Sequence, residues 1–266
     1  MSEIWQYRDL LFQLVRRDIV VRYRHSLLGV AWALLQPLGL MLLFTFVFTR
    51  AVAAGALNDL GVPYAIWAYV GILPWTLFAT GLGGAVLSLA AHRDMVTKVY
   101  FPRQILPMAA VASAFFDFLV ASTVLAGLAV YYRATCGLTL PLGAPLLWLG
   151  PLVAFQLLIM LGLGMWLALA NLWYRDVKYL FNVGIQMWMF LTNVLYPLPE
   201  NGGPVVRALT LCNPMIPIIS GYRRVLLEGR APEPLALLGA ATVGAMLTAG
   251  AWAAYRLLEG RFAERA

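Results

Sequence analysis

Charge is scarce in this chain of 266 residues: 12% of them are charged, roughly half the share of a soluble domain. Lysine is scarcer still, with Lys98 and Lys178 alone. Neither follows a glycine, and a phosphate-binding loop needs glycines that let backbone amides wrap the phosphates, then a lysine that reaches them. ATP-driven action must therefore borrow its hydrolysis from another subunit. Two histidines, His25 and His92, cannot supply a paired-histidine metalloprotease motif, and a serine triad would have to draw on a loop histidine. The two cysteines, Cys136 and Cys212, have no CxxC spacing and no partner histidines, so a structural zinc site is excluded on ligand count; whether they pair is left open. No catalytic residue, metal site or bound cofactor is expected. The first 26 residues hold five arginines and no long apolar core, which is not the pattern of a cleavable signal peptide.

What the chain has instead is apolar residues, 62% of the total, with a mean hydropathy of +0.80. They gather into uncharged runs of about 18 residues or more, the length that crosses a hydrocarbon core of about 30 Å. The expectation is an all-α integral membrane protein, one domain over residues 1–266, with six spans: Leu27–Thr49, Pro63–Ala91, Gln104–Tyr132, Pro145–Trp173, Tyr179–Pro197 and Leu235–Tyr255. The second to fourth runs each hold 29 residues, so they tilt, kink or extend past the bilayer, with Pro74 the favoured kink. Of the 19 basic residues, thirteen fall in the amino-terminal segment, the loop after the second span, the turn at Arg175 and Lys178, and the tail. The positive-inside rule places these segments, and both termini, in the cytoplasm. On such a chain a charge of +7 reports topology, not nucleic acid.

Three segments are more than connectors. Residues 3–24 bring Ile4, Tyr7, Leu11, Leu14 and Val15 together at helical spacing, while Arg8, Asp9, Arg16 and Arg17 fall mostly elsewhere; this is a helix lying in the membrane plane, or else a charged anchor. His92–Arg103 makes a short basic loop with room for one or two helical turns, as a topology signal or as something more. Residues 198–234 face outward, and Gly202, Gly203, Pro204, Pro214 and Pro217 break them into two short helices, about Val205–Leu211 and Ile218–Leu227. Such pieces are re-entrant where protein satisfies their backbone, or merely interfacial.

Asp117 is the only full charge inside the six runs. A lone carboxylate at that depth costs about 2.5–3.5 kcal/mol on insertion scales, so a partner or water is expected; proton coupling through Asp117 is one alternative and a structural hydrogen bond to a neighbouring helix the other. Deep aromatics, among them Phe44, Phe46, Trp75, Phe78, Trp166 and Trp188, suit either lipid-facing packing or a channel in which aromatic faces stack on sugar rings.

Six blocks decide what pattern alone leaves open. LVRRDIVVRYRHSLLGVAWALLQPL (residues 14–38), GILPWTLFATGL (71–82), KVYFPRQILP (98–107), NLWYRDVKYL (171–180), NPMIPIISGYRRVLLEG (213–229) and RLLEGRFAE (256–264) resemble, in order and over almost the whole chain, the permease subunit of ABC type-2 polysaccharide exporters, the O-antigen and teichoic-acid exporters.

The resemblance implies a six-helix half-transporter in the bacterial inner membrane that forms a homodimer and joins two cytoplasmic ABC ATPase subunits, which carry the ATP and magnesium. It implies a coupling helix in the short basic loop, with Arg93, Lys98, Tyr100 and Arg103 transmitting the stroke. The short outer helices become a gate, with Pro214, Tyr222 and Arg223 as its residues. Cargo is a polysaccharide on a polyprenyl diphosphate lipid, whose phosphates Arg22 and Arg24 can grip bidentately at the cytoplasmic edge. Phe44, Trp75, Phe78, Trp166 and Trp188 are assigned to the channel on type and depth. Seventeen arginines against two lysines suggest a GC-rich genome and so favour O antigen over teichoic acid. A small lipid or drug is the alternative cargo. Asp117 stands where the family pattern leads one to expect an uncharged residue, so the resemblance gives it no role.

Overall fold

The computed structural model describes residues 5–24, 26–51, 60–92, 101–137, 140–141, 143–197, 203, 208–210 and 212–258. Among these residues the regular structure is entirely helical. In chain order the helices are α1 (Arg8–Arg24), α2 (Ala31–Ala51), α3 (Tyr64–Ala91), α4 (Ile105–Cys136), α5 (Leu149–Trp173, entered through a 3₁₀ turn at Ala144–Trp148), α6 (Val177–Phe190), α7 (Met215–Arg223, continued by a π turn at Arg224–Glu228) and α8 (Pro234–Leu258). Five of them, α2, α3, α4, α5 and α8, are long and apolar enough to cross a membrane.

The fifth expected run, Tyr179–Pro197, is only partly helical. α6 stops at Phe190 after 14 residues, about 21 Å at 1.5 Å per residue, and residues 191–196 turn. The other boundaries shift by a few residues: α2 begins at Ala31 because residues 26–30 make turns around Gly29, whose φ of +52° suits glycine. α4 runs on to Cys136 and is capped by Gly137 at φ +67°, whose N–H donates to the Arg133 carbonyl at 3.2 Å.

α3 is the central element: 20 of its 28 residues are buried, as an all-round apolar helix requires. Small residues let its neighbours, and theirs, come close. A Cβ on Gly81 of α3 would lie 2.2 Å from Cε of Met160 in α5, and one on Gly162 of α5 would lie 2.6 Å from the Thr248 amide of α8. Polar side chains then bridge helices to backbone: Gln156 Nε2 donates to the Pro74 carbonyl at 2.7 Å, Asn171 Nδ2 to Val86 O at 2.9 Å and Thr248 Oγ1 to Leu158 O at 3.0 Å.

Besides the main core, a smaller apolar cluster marks one end of the bundle. It joins Leu14 of α1 to Leu89, Ile105, Leu172 and Tyr255, so α1, the end of α3, the start of α4 and the ends of α5 and α8 meet there. The opposite end gathers Tyr64, Val194, Leu195 and Tyr222 within the main core. The two terminal helices therefore share one end.

Candidate functional site

α1 docks by a stripe at helical spacing. Leu14 is 4% exposed, and Tyr7, Leu10, Leu11 and Val15 pack beside it against Leu89, Phe101, Ile105 and Leu106. The stripe legible in the sequence thus faces protein at the bundle end, apart from Ile4, which lies outside the described residues, while Phe12, Val20 and Val21 stay exposed. Past Leu14, α1, α3 and α4 enclose a cleft of about 480 Å³ whose polar lining is Arg17, Asp18, Arg22, Ser88, His92 and Ser113.

The charges in this cleft are paired. Arg17 Nη2 donates to Asp18 Oδ1 at 3.0 Å and contacts His92 Nε2. His92 Nδ1 lies 2.7 Å from the Ser88 carbonyl; a carbonyl only accepts, so Nδ1 carries the proton and Nε2 of the neutral ring is the acceptor for Arg17. Arg22 Nη1 is ion-paired with Asp117 Oδ2, and its Nη2 donates to Ser113 Oγ at 3.3 Å. Tyr23 Oη donates to the other carboxylate oxygen of Asp117 at 2.5 Å. Leu106, Ala110, Ser113 and Asp117 follow at i, i+4, i+7 and i+11, so Asp117 stands one turn beyond the cleft on the same face of α4. Burial, reinforced by the Asp117 carboxylate, pushes the Tyr23 phenol up to about 12, which keeps it a donor at neutral pH.

At the opposite end, a second polar node explains why α6 stops. The Arg223 guanidinium, 6% exposed, donates to the carbonyls of Asn193 and of Val194, the latter at 2.7 Å, and stacks 3.4 Å from the Trp67 ring centroid. Gly71 leaves room for it, since a Cβ there would lie 2.4 Å from Arg223 Nη2. Tyr64 Oη takes the Leu195 carbonyl at 2.8 Å. Asn213 closes the node: its Oδ1 accepts from Trp188 Nε1 at 3.0 Å and from the Met215 amide at 3.1 Å, and its Nδ2 donates to Thr192 Oγ1 at 2.8 Å. The carbonyls of Asn193, Val194 and Leu195 are thus satisfied by side chains instead of a helical ladder.

Residues 9–227 match the ABC-2 type transporter family, which is most of the chain. The chain belongs to this family. It is 33% identical to the O-antigen export system permease protein RfbA of Myxococcus xanthus, across 98% of this chain and 95% of that protein. Two Klebsiella pneumoniae proteins of the same name are 26% and 25% identical, each across 96% of this chain and 94% of the relative.

In this ABC-2 protein the residues singled out from the sequence fall in different places. Arg93, Lys98 and Tyr100 lie outside the described residues; Arg103 is in the turn that starts α4, half-buried. Arg22 and Arg24 are both exposed, but Arg22 lines the cleft, whereas Arg24, two residues on, forms no ion pair among the described residues. Trp75, Phe78 and Trp188 make one aromatic column in the core, with centroids 5.5 and 5.1 Å apart. Trp166 lies elsewhere, 40% exposed with Nε1 on the Leu247 carbonyl at 3.1 Å, and Phe44 packs on Phe48 of α2. Pro214 and Arg223 sit in the node, and Tyr222 reaches Gln156 Oε1 at 3.3 Å. The first expected outer helix, Val205–Leu211, falls mostly outside the described residues; the second is α7 and its π turn. Cys136 and Cys212 are both free and exposed.

The sequence missed Arg17, His92, Tyr23, Asn193 and Asn213 as participants. Asp117 signalled that a partner must exist, but Arg22 lies 95 residues away, and no local pattern names it.

Proposed function

We propose that this chain is the membrane subunit of an ATP-driven exporter that carries a polyprenyl-diphosphate-linked polysaccharide, O antigen, across the bacterial inner membrane. The observation that carries this reading is the near full-length likeness to permeases named for O-antigen export. The subunit works as a homodimer with two ATPase subunits, since its own lysines cannot build a nucleotide loop. Its sixth crossing is α6 with residues 191–197, because α5 ends in the α1 cluster while Asn193 meets Arg223 at the other end. The α1 end is cytoplasmic, with thirteen of the 19 basic residues in the segments assigned to it.

In this reading the lipid diphosphate sits in the cleft against Arg22, with Arg24 at its mouth. ATP binding drives the loop holding Arg93, Lys98, Tyr100 and Arg103, and the polymer moves along aromatic surfaces that include Phe44, Trp75, Phe78, Trp166 and Trp188. The node of Pro214, Tyr222 and Arg223 controls the outer end. Proton coupling is not proposed, since Asp117 has both oxygens engaged by Arg22 and Tyr23.

Depletion of the protein in its native cell, with fractionation and glycan analysis, tests the assignment. Lipid-linked polymer accumulating on the cytoplasmic side is the expected result. Unchanged surface polymer with no such pool overturns it.

A further inference from the structure

Asp117 is the one acidic residue of the spans, and the export reading gives it no role. It closes a four-residue arrangement in which each charged group has a second partner within reach. Arg22 faces two ways: toward Asp117 and Ser113, and into the cleft it lines together with Arg17 and His92. Asp117 faces two ways as well, since one oxygen takes Arg22 and the other takes the Tyr23 hydroxyl at 2.5 Å.

An ion pair at a protein boundary opens without a large penalty only when neither charge is left bare. Here neither is. If an anion in the cleft takes the Arg22 guanidinium, Asp117 keeps the Tyr23 hydrogen bond and its own partial exposure, 18% of the side chain.

We propose that Asp117 is an internal counter-ion that holds Arg22 while the cleft is empty and gives it up only to a headgroup with a second phosphate, so that it sets the selectivity of the cleft for diphosphate over monophosphate. This rests on the reading of the cleft as the lipid-headgroup site. A carboxylate and a phosphate monoester present similar paired oxygens to a guanidinium, so a monoester gains little by displacing Asp117. A diphosphate brings more charge and a second group of oxygens, which engages Arg17 from the same pocket while the first engages Arg22. Arg17 is pre-paired in the same manner with Asp18. The cleft thus has two cations, each held by a carboxylate one ligand oxygen pair can replace, and a ligand with a single phosphate replaces only one.

The test is equilibrium binding of labelled undecaprenyl diphosphate and undecaprenyl monophosphate to the full chain, assembled with its ATPase subunits in nanodiscs. Asp117→Asn removes the competitor and is expected to tighten monophosphate binding about tenfold, the scale of one charge-assisted hydrogen bond, with a smaller gain for the diphosphate, so the preference narrows. Tyr23→Phe removes the donor that covers Asp117 once Arg22 leaves, so it is expected to weaken binding of both probes. Opposite signs from two neighbouring residues are not what loss of packing produces. A preference unchanged in Asp117→Asn overturns the counter-ion proposal, as does weakening by both variants alike. Arg22→Gln separates the two layers. If it leaves diphosphate binding intact, the headgroup reading of the cleft has failed; if it abolishes binding while Asp117→Asn leaves the preference untouched, the site stands and the counter-ion proposal alone has failed.

Discussion

Gly71 and Tyr23 show how much of this molecule rests on single side chains meeting across long stretches of sequence. A methyl group at Gly71 would fall 2.4 Å from Arg223 Nη2 and 2.7 Å from the Val194 carbonyl, and neither neighbour can yield without releasing the other. Gly71→Ala is therefore expected to cost about 1–3 kcal/mol, the usual range for overpacking, read as a lower unfolding temperature in detergent. Gly127, where a Cβ meets nothing within 4 Å, supplies the control, and Gly127→Ala should leave that temperature unchanged or raise it. Tyr23 makes a different prediction. Its folded-state value lies near 12 against an ordinary 10, chiefly through burial and then through the bond to Asp117. A raised value means that the un-ionised phenol is the bound form. The contribution to α1 docking is therefore complete below about pH 10 and lost as pH climbs through about 12. The phenolate absorbance of wild type minus that of Tyr23→Phe should titrate with a midpoint near 12; a midpoint near 10 means that the hydroxyl is not held.

At the scale of the element, α1 is the most informative helix, because it carries five of the chain's arginines and still buries a stripe. Leu14 is its anchor, 4% exposed within the cluster of Leu89, Leu106 and Tyr255. Leu14→Ala should weaken docking by about 2–5 kcal/mol, seen as faster hydrogen exchange in α1 with exchange in α3 unaltered. That stripe was legible in the sequence, as were the five long spans, since both signals are local: a period near 3.6, and apolar runs long enough to cross. Where α6 ends was not legible. Residues 191–197 continue an apolar run, and what holds them out of the helix is an arginine 33 positions beyond Phe190 and a tyrosine on α3 that take the carbonyls of Val194 and Leu195. The cleft was half legible for the same reason. Arg22 was singled out by charge and position, but its pairing with Asp117 and the closeness of Arg17 to His92 depend on helices that meet only in three dimensions. Asn213→Ala tests the α6–α7 link directly, for it strips partners from Trp188, Thr192 and the Met215 amide together. A loss of about 1–3 kcal/mol is expected, with Trp188 fluorescence shifting as its indole N–H is freed.

For the whole molecule, the two ends of the bundle decide which way it points. α3 leaves the Arg223 node and arrives at the α1 cluster, α4 returns, α5 comes back, α6 with its turn returns again, and α8 ends beside Leu14 through Ala251 and Tyr255. Such alternation puts Cys136, at the far end of α4, and Cys212, next to Asn213, together at the Arg223 end. It puts Arg175, exposed in the turn between α5 and α6, at the α1 end. Basic residues crowd the α1 end, and the proposed reading places that end in the cytoplasm on the strength of that bias. The native cysteines are free and exposed, so they serve as reporters without further engineering. In spheroplasts, a membrane-impermeant maleimide should label both. In a background lacking them, Arg175→Cys should label only after permeabilisation. Labelling of Arg175→Cys in intact spheroplasts with the native pair protected would invert the orientation. Labelling of Arg175→Cys and Cys212 from one side, with Cys136 on the other, would mean that α6 and residues 191–197 do not cross, leaving five spans and placing Asn193 and Arg175 on one side, which the bundle as folded does not allow.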